Sequence, residues 1–311
     1  MNHLKFKQKG DVRLKKIAVV GSINIDQTVT AERIPLKGET LPGGSLRYIP
    51  GGKGANQAVA MAKLGAQVEM FGCVGDDENG RKMMENLAAN NVETQNIKIV
   101  SGIPTGIAII TVGENDNTII VVEGANGQVD RDYIDSIKET LFGYDMVVLQ
   151  HEIPLDTVHY VVELCAAHNI PTLLNPAPAA EVPMDTIEKV TYLTPNEHEA
   201  VLIFGKERST EDLLKAYPEK LIITQGSRGV SVGLKNGEVV NVPARKTEVV
   251  DTTGAGDTLN GAFCVKNMES GNIVESLIYA NAAASLSIGK FGAQSGMPTT
   301  EELAKVLEGI K

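Results

Sequence analysis

Short apolar runs alternate with longer segments of helical period along most of this 311-residue chain, and that alternation narrows the fold class most. Residues 16–21 (KIAVVG) are apolar on both faces and end in glycine, the pattern of a buried strand. Residues 55–64 (ANQAVAMAKL) follow as a helix that Gly65 stops. Strands at 68–74, 146–149, 172–174, 190–193 and 221–224 are interleaved with helices at 80–90, 130–141, 155–168 and 196–204. A hairpin is predicted over 229–234 and 238–242, and helices at 257–268, 272–288 and 300–309 close the chain. Such a pattern implies an α/β fold: a mostly parallel central sheet covered by helices on both faces, a three-layer α/β/α sandwich.

Two stretches break the rhythm. Residues 27–49 carry Pro35, Gly38, Pro42, Gly43 and Gly44 and show no helical period. Residues 105–122 hold two β-rich runs around Glu114–Asn117, a hairpin signal. Together they are expected to form a small antiparallel sheet beside the main domain, which spans 16–311; the alternative is that they are extra edge strands. Residues 1–15 are basic and lack an apolar core, so they read as a disordered extension rather than a secretory signal.

The net charge of −10 argues against a nucleic-acid partner, which calls for a basic surface. No apolar run approaches the roughly 18 residues of a membrane span. Cys73, Cys165 and Cys264 are odd in number and far apart, the usage expected of buried thiols in a reducing, cytoplasmic compartment. The five histidines have no zinc-site spacing.

Ligands of open α/β sheets bind beyond the carboxyl ends of the strands. Polar residues follow nearly every strand here: Ser22, Asn24 and Asp26; Gln150, His151 and Glu152; Asn175; Thr194 and Asn196; Thr224 and Gln225. A rim of amides and carboxylates suits a ligand rich in hydroxyls, although any one of these residues could be a turn former or helix cap.

Two glycine segments each lead into a helix. Gly51-Gly52-Lys53-Gly54-Ala55-Asn56 allows close backbone approach and adds directed donors, but it is not a Walker A loop, and alone it could be a glycine-rich turn. Asp251-Thr252-Thr253-Gly254-Ala255-Gly256-Asp257 leaves the amides of Gly254, Ala255 and Gly256 uncovered at a helix N-terminus, an anion hole for a phosphoryl group in transit. Asp257 stands at its edge as a base for an incoming hydroxyl; the alternative is that it only caps the helix. A loose transition state releases the alcohol's proton late, so a carboxylate suffices.

Six segments in register resemble the ribokinase (PfkB-type) family of carbohydrate kinases: GSINID at 21–26, GET at 38–40, GGKGANQAVAMAKLG at 51–65, NPAP at 175–178, PNEHE at 195–199 and DTTGAGDTLNGAF at 251–263. The resemblance spans nearly the whole chain from residue 16. It implies transfer of the γ-phosphoryl group of ATP to the 5-hydroxyl of D-ribose, with Asp257 as base and Gly254, Ala255 and Gly256 as anion hole. Asn24, Asp26, Gly52, Lys53, Asn56 and Glu152 would hold the sugar. Asn196, Thr224, Gly226, Gly229 and Asn281 would lie along the nucleotide, with Glu199 ordering Mg²⁺ through water. The family also uses K⁺, and Asp251, Thr253, Ser287, Lys290, Gly292 and Gly296 match that site; the family often has serine where this chain has Gly296. The two irregular stretches match the family's β-lid, through which a homodimer is implied.

Four rivals can be weighed on the sequence. A kinase for another small sugar or a nucleoside would share the phosphate machinery. A non-catalytic sugar sensor would be expected to lose the base or the anion hole, and both are here. A nicotinamide dehydrogenase or serine hydrolase lacks support, since Gly21 opens no GxGxxG turn and no GxSxG elbow occurs.

Overall fold

The computed structural model describes residues 15–114 and 116–308. Its first elements are β1 (Lys16–Val20), β2 (Asn24–Thr30), β3 (Leu46–Gly51), α1 (Lys53–Lys63), β4 (Gln67–Gly75) and α2 (Glu78–Ala89). Four strands follow: β5 (Val92–Glu93), β6 (Ile97–Val100), β7 (Gly106–Gly113) and β8 (Asp116–Val122). Alternation resumes with α3 (Arg131–Leu141), β9 (Met146–Gln150), α4 (Leu155–Ala167), β10 (Thr172–Asn175), α5 (Met184–Lys189) and β11 (Tyr192–Leu193). Then come α6 (Glu197–Phe204), α7 (Thr210–Ala216), β12 (Ile222–Thr224), β13 (Val230–Gly233) and β14 (Val239–Val242). The last helices are α8 (Ala255–Ser270), α9 (Ile273–Ser287), α10 (Ala293–Gly296) and α11 (Thr300–Glu308).

The main sheet runs β11-β10-β9-β1-β4-β5, with β6 also on β4, and every pairing is parallel. Isolated parallel bridges at Leu193–Leu221 and Asn196–Thr224 extend it toward the antiparallel β12-β13-β14. Successive strand residues face opposite sides, so β1 feeds two cores. Ile17 and Val19 pack with residues of α1, α8 and α9, while Ala18 and Val20 pack with residues of α3 and α4. This is the α/β/α sandwich expected from the alternation.

The second sheet, β3-β2-β7-β8, is mixed rather than antiparallel. β2 pairs in parallel with β7, because both segments leave the same edge of the main sheet, one after β1 and one after β6. β3 returns antiparallel to β2 and delivers the chain to α1. β7 and β8 form the expected hairpin. The sheet starts at Asn24, and residues 31–45 contribute no strand to it.

Helices α5, α7 and α10 were not legible as periodic segments because each is seven residues or shorter. Residues 1–14, most of the expected extension, lie outside the described residues. No helix among the described residues is long and apolar enough to cross a membrane.

Candidate active site

The polar residues that follow β1, β9, β10 and β12 lie along one edge of the main sheet, where β2 and β3 rise from it. Glu152 ties three segments together. Its Oε2 accepts from Ser22 Oγ at 2.6 Å and from the backbone N of Lys53 at 2.9 Å. The turn after β1 and the first turn of α1 are thereby anchored to the end of β9. Asn24 is buried and accepts at Oδ1 from Asn126 Nδ2 at 2.7 Å, while Asn126 Oδ1 accepts from the Ile23 backbone N at 2.8 Å. Asn126 lies in a 3₁₀ turn, and nothing in the sequence pattern marks it.

Charge is concentrated here. Burial pushes the Asp26 carboxyl up to about 7, and the negative charges of Glu152 and Asp257 add to the rise, against the opposing pull of Lys53. Burial disfavours the Lys53 ammonium, yet Asp257, Glu152, Glu199 and Asp26 together outweigh it and raise its pKa. The site is one cation among four carboxylates, an arrangement that favours polar, hydroxyl-rich ligands. A testable consequence concerns Asp26. The folded chain keeps this proton up to about pH 7, whereas an unfolded aspartate loses it near 3.8. Stability contributed by the group is present below that lower value and is lost as pH rises toward 7. Asp26→Asn therefore melts higher than wild type at pH 8 and shows a flatter stability profile between pH 4 and 7. Calorimetric melting across pH checks both parts.

Asp257 occupies the first turn of α8 but does not cap it. Gly254, at φ 76°, is the N-cap, so the helix begins two residues earlier than the sequence suggests. The Asp257 carboxylate instead points at α1. Its Oδ2 accepts from Asn56 Nδ2 and its Oδ1 from Gln57 Nε2, both at 3.0 Å. Asn56 is thus committed to Asp257, and its own Oδ1 accepts from Gln294 Nε2 at 3.0 Å. Of the three amides expected in the anion hole, that of Ala255 bonds to Thr252 O at 3.2 Å. Gly256 opens on free space, with nothing within 4 Å of where a Cβ would stand, and first-turn amides have no helical acceptor. A Cβ on Gly254 would lie 2.7 Å from the Ala293 Cβ, so this turn is packed closely against α10.

Among the residues expected along a nucleotide, Asn196 and Glu199 form a reciprocal capping box on α6: Glu199 Oε2 accepts from Asn196 N at 2.7 Å and Asn196 Oδ1 from Glu199 N at 2.8 Å. Burial raises the Glu199 pKa, opposed by that amide and by Lys53. One carboxylate oxygen is spent on the cap, which leaves the other for a water-bridged cation. Thr224 ends β12 opposite Asn196. Gly226 has φ 56° with open space around it, and Gly229 has φ 94° with its Cα face against Val242 O. Asn281 donates through Nδ2 to the carbonyls of Val242 (3.1 Å) and Pro243 (2.7 Å), strapping α9 to the segment after β14.

The six residues matched to a monovalent cation come from two segments that meet in one corner. Asp251 accepts from Thr253 N and Oγ1 at 2.9 and 2.7 Å, and from Gly292 N at 2.8 Å. These bonds prevail over burial and hold the Asp251 pKa low. The backbone of Gly296 packs directly on Ser287 O, leaving no room for a side chain, and Ser295 Oγ donates to the carbonyls of Phe291 and Gly292. The Lys290 ammonium points away to Glu302 at 3.1 Å. A corner rich in backbone carbonyls and one fixed carboxylate fits a monovalent cation. Among the described residues no three His, Cys, Asp or Glu side chains converge as a metal cage.

His151 differs from its rim neighbours. It is buried, neither ring nitrogen has a hydrogen bond of good geometry, and burial brings its pKa down to about 4, so the imidazole is neutral. The residues that sequence reasoning missed, Gln57, Asn126 and Gln294, act through partners far along the chain.

Comparison with known proteins places the chain in a family. The model of the pfkB family of carbohydrate kinases matches residues 14–300. A Bacillus subtilis ribokinase is 47% identical over 94% of this chain and 100% of its own. A Salmonella typhimurium deoxyribokinase is 35% identical over 94% of this chain and 98% of its own. The structure of Arabidopsis thaliana ribokinase complexed with ribose and ATP superposes with a TM-score of 0.85, at 30% identity, covering 95% of this chain and 99% of that one. With the family model covering nearly the whole fold and the site, the chain belongs to the pfkB family of carbohydrate kinases.

Proposed function

We propose that this protein is an ATP-dependent ribokinase that makes D-ribose 5-phosphate and ADP. The observation that carries the reading is the Asp257 carboxylate, set in the first turn of α8 beside the open Gly256 amide and coupled to the Lys53, Asp26 and Glu152 cluster. The 47%-identical relative named ribokinase and the structural neighbour holding ribose and ATP support it.

In this reading Asn24, Asp26, Gly52, Lys53, Asn56 and Glu152 hold the sugar so that its 5-hydroxyl faces Asp257. The carboxylate accepts the hydroxyl proton as the oxygen bonds to the γ-phosphorus and the bond to the bridging oxygen of ADP breaks. The amides of Gly254, Ala255 and Gly256 receive the charge on the phosphoryl oxygens, which requires the Ala255 amide to leave Thr252 O when phosphate is present. Asn196, Thr224, Gly226, Gly229 and Asn281 flank the nucleotide. Glu199 would hold Mg²⁺ through water, and the corner of Asp251, Thr253, Ser287, Lys290, Gly292 and Gly296 would hold K⁺. When bound, Mg²⁺ neutralises phosphate charge and K⁺ steadies the anion-hole turn.

The sheet β3-β2-β7-β8 is the lid that keeps water from the transfer. Tyr48, Ile109, Ile119, Ile120, Val121 and Val122 are exposed on it, and β8 is an edge strand. An apolar edge of this kind supports a homodimer through the lids. The three free, buried cysteines fit a cytoplasmic enzyme.

The 35%-identical deoxyribokinase keeps a second reading in view, since the two sugars differ by one hydroxyl. Coupled ADP release with MgATP and K⁺ separates them. D-ribose is expected to stimulate release at least tenfold more efficiently than 2-deoxyribose, because a site that hydrogen-bonds a hydroxyl discriminates against the analogue lacking it, and more efficiently than fructose or adenosine. Equal or better use of 2-deoxyribose sinks the ribose assignment.

A further inference from the structure

We propose that Gln57 is the positioning residue of Asp257 and that Gln150 holds Gln57 in the one orientation that serves; this deepens the reading of Asp257 as base. Gln57 lies on α1, fully buried, and every polar atom of its amide is used. Nε2 donates to Asp257 Oδ1 at 3.0 Å and to Asn175 Oδ1 at 3.1 Å. Oε1 accepts from Gln150 Nε2 at 2.8 Å. Asn175 is itself fixed, because its Nδ2 donates to Thr194 O at 3.1 Å.

A reversed Gln57 amide would set Oε1 against two acceptor oxygens and Nε2 against the donor of Gln150. Asp257, Asn175 and Gln150 together exclude that reversal, and Gln150 is the donor among them. Together, Gln57 on Oδ1 and Asn56 on Oδ2 fix the plane of the carboxylate from both sides. A carboxylate offers about four lone-pair positions, so two donors still leave positions for the sugar hydroxyl. Neither donor carries charge, so the base is oriented without being neutralised.

Gln150 shows that this chain of amides is more than packing. It is fully buried, yet its Oε1 has no hydrogen-bond partner. That oxygen faces Gly21, where any side chain would collide with it. An unpaired interior acceptor is unfavourable, and an apolar side chain of the same shape would avoid the loss. What the glutamine supplies in return is the donor to Gln57.

The test is a double-mutant comparison. Gln57→Leu and Gln150→Met are each placed in the wild-type and the Asp257→Asn chains. Steady-state kcat, KM for ATP and single-turnover rates are measured, with the melting temperature as a check on folding. In the wild-type background Gln57→Leu is expected to lower kcat about 10- to 100-fold, the scale of a misplaced reacting group, with KM for ATP changed less than about twofold. Gln150→Met is expected to lower kcat about fivefold by releasing the Gln57 amide. In the Asp257→Asn background neither substitution should lower the residual rate by more than about twofold, because the group they position is gone. Equal losses in both backgrounds, or an unchanged kcat in the wild-type background, overturn the proposal. Should Gln57→Leu fail to fold, Gln150→Met makes the same comparison from one bond further away. If the wild-type chain transfers phosphate to no sugar, the base assignment fails first and the positioning role with it, a result visible before any variant is made.

Discussion

Asp257→Asn is expected to turn over about 10³-fold more slowly than wild type, within the range that general-base removal gives, while binding nucleotide with unchanged affinity. The size follows from what the amide cannot do: it accepts no proton from an alcohol near neutral pH. The selectivity follows from position. Asp257 bonds to Asn56 and Gln57 on α1 and is replaced by a side chain of the same size, so the proposed anion-hole turn keeps its backbone, while the other residues proposed to flank the nucleotide lie at α6, at and after β12, and on α9. The amide also meets two donors with only one acceptor, so one of Asn56 Nδ2 and Gln57 Nε2 loses its bond. That costs about 1–3 kcal/mol of stability, read as a lower melting temperature, and separates from the kinetic loss because it does not act on ADP binding. Steady-state kinetics beside calorimetric ADP titration checks the pair. Wild-type turnover in this variant contradicts the assignment.

Gly52→Ala is expected to lower stability by roughly 2–6 kcal/mol and to abolish most sugar-dependent turnover, for two independent reasons. Gly52 has φ 88° and ψ 127°, a conformation that L side chains rarely adopt. A Cβ would also stand 2.7 Å from Asn24 N and 2.9 Å from Ser22 O, both backbone atoms that cannot swing away. Relief requires β2 and the start of α1 to separate. That movement breaks the hold of Glu152 on Ser22 and Lys53 and displaces Lys53, Asn56 and Gln57 together. Thermal melting and sugar-dependent ADP release should fall in parallel. A variant that melts within a degree or two of wild type and keeps its KM for sugar would show that the turn is less constrained than the geometry implies.

Much of the scaffold was legible because it is encoded locally. The run at 16–21 is apolar on both faces because β1 is central, between β4 and β9. Gly65 ends α1 as expected, with φ 88°. The start of α8 was misplaced because Asp257 looks like a cap, whereas a left-handed Gly254 takes that role without any side-chain bond. The mixed pairing of the smaller sheet was hidden because hairpin signals report neighbours in sequence, and β2 and β7 are not neighbours.

The site was half legible. Glycine turns and carboxylates advertise themselves, but the groups that orient them do not. Gln57 reads as an ordinary polar residue on a helix, and its partners Asn175, Gln150 and Asp257 are 118, 93 and 200 positions away. Gln294 sits on a four-residue helix and reaches Asn56 across 238 positions. Asn126 orients Asn24 from a 3₁₀ turn 102 positions away. Such contacts exist only once the sheet has brought its strand ends together, so no periodicity announces them.

The most direct measurement is ³¹P NMR of the full chain turning over MgATP with D-ribose in the presence of K⁺. Transfer to the 5-hydroxyl places phosphorus on a methylene oxygen, so a phosphomonoester resonance split into a triplet by two protons should grow in step with ADP. A doublet would mean transfer to a ring hydroxyl and would contradict the placement of the 5-hydroxyl against Asp257. Inorganic phosphate alone, growing at the same rate with or without ribose, would contradict sugar phosphorylation altogether.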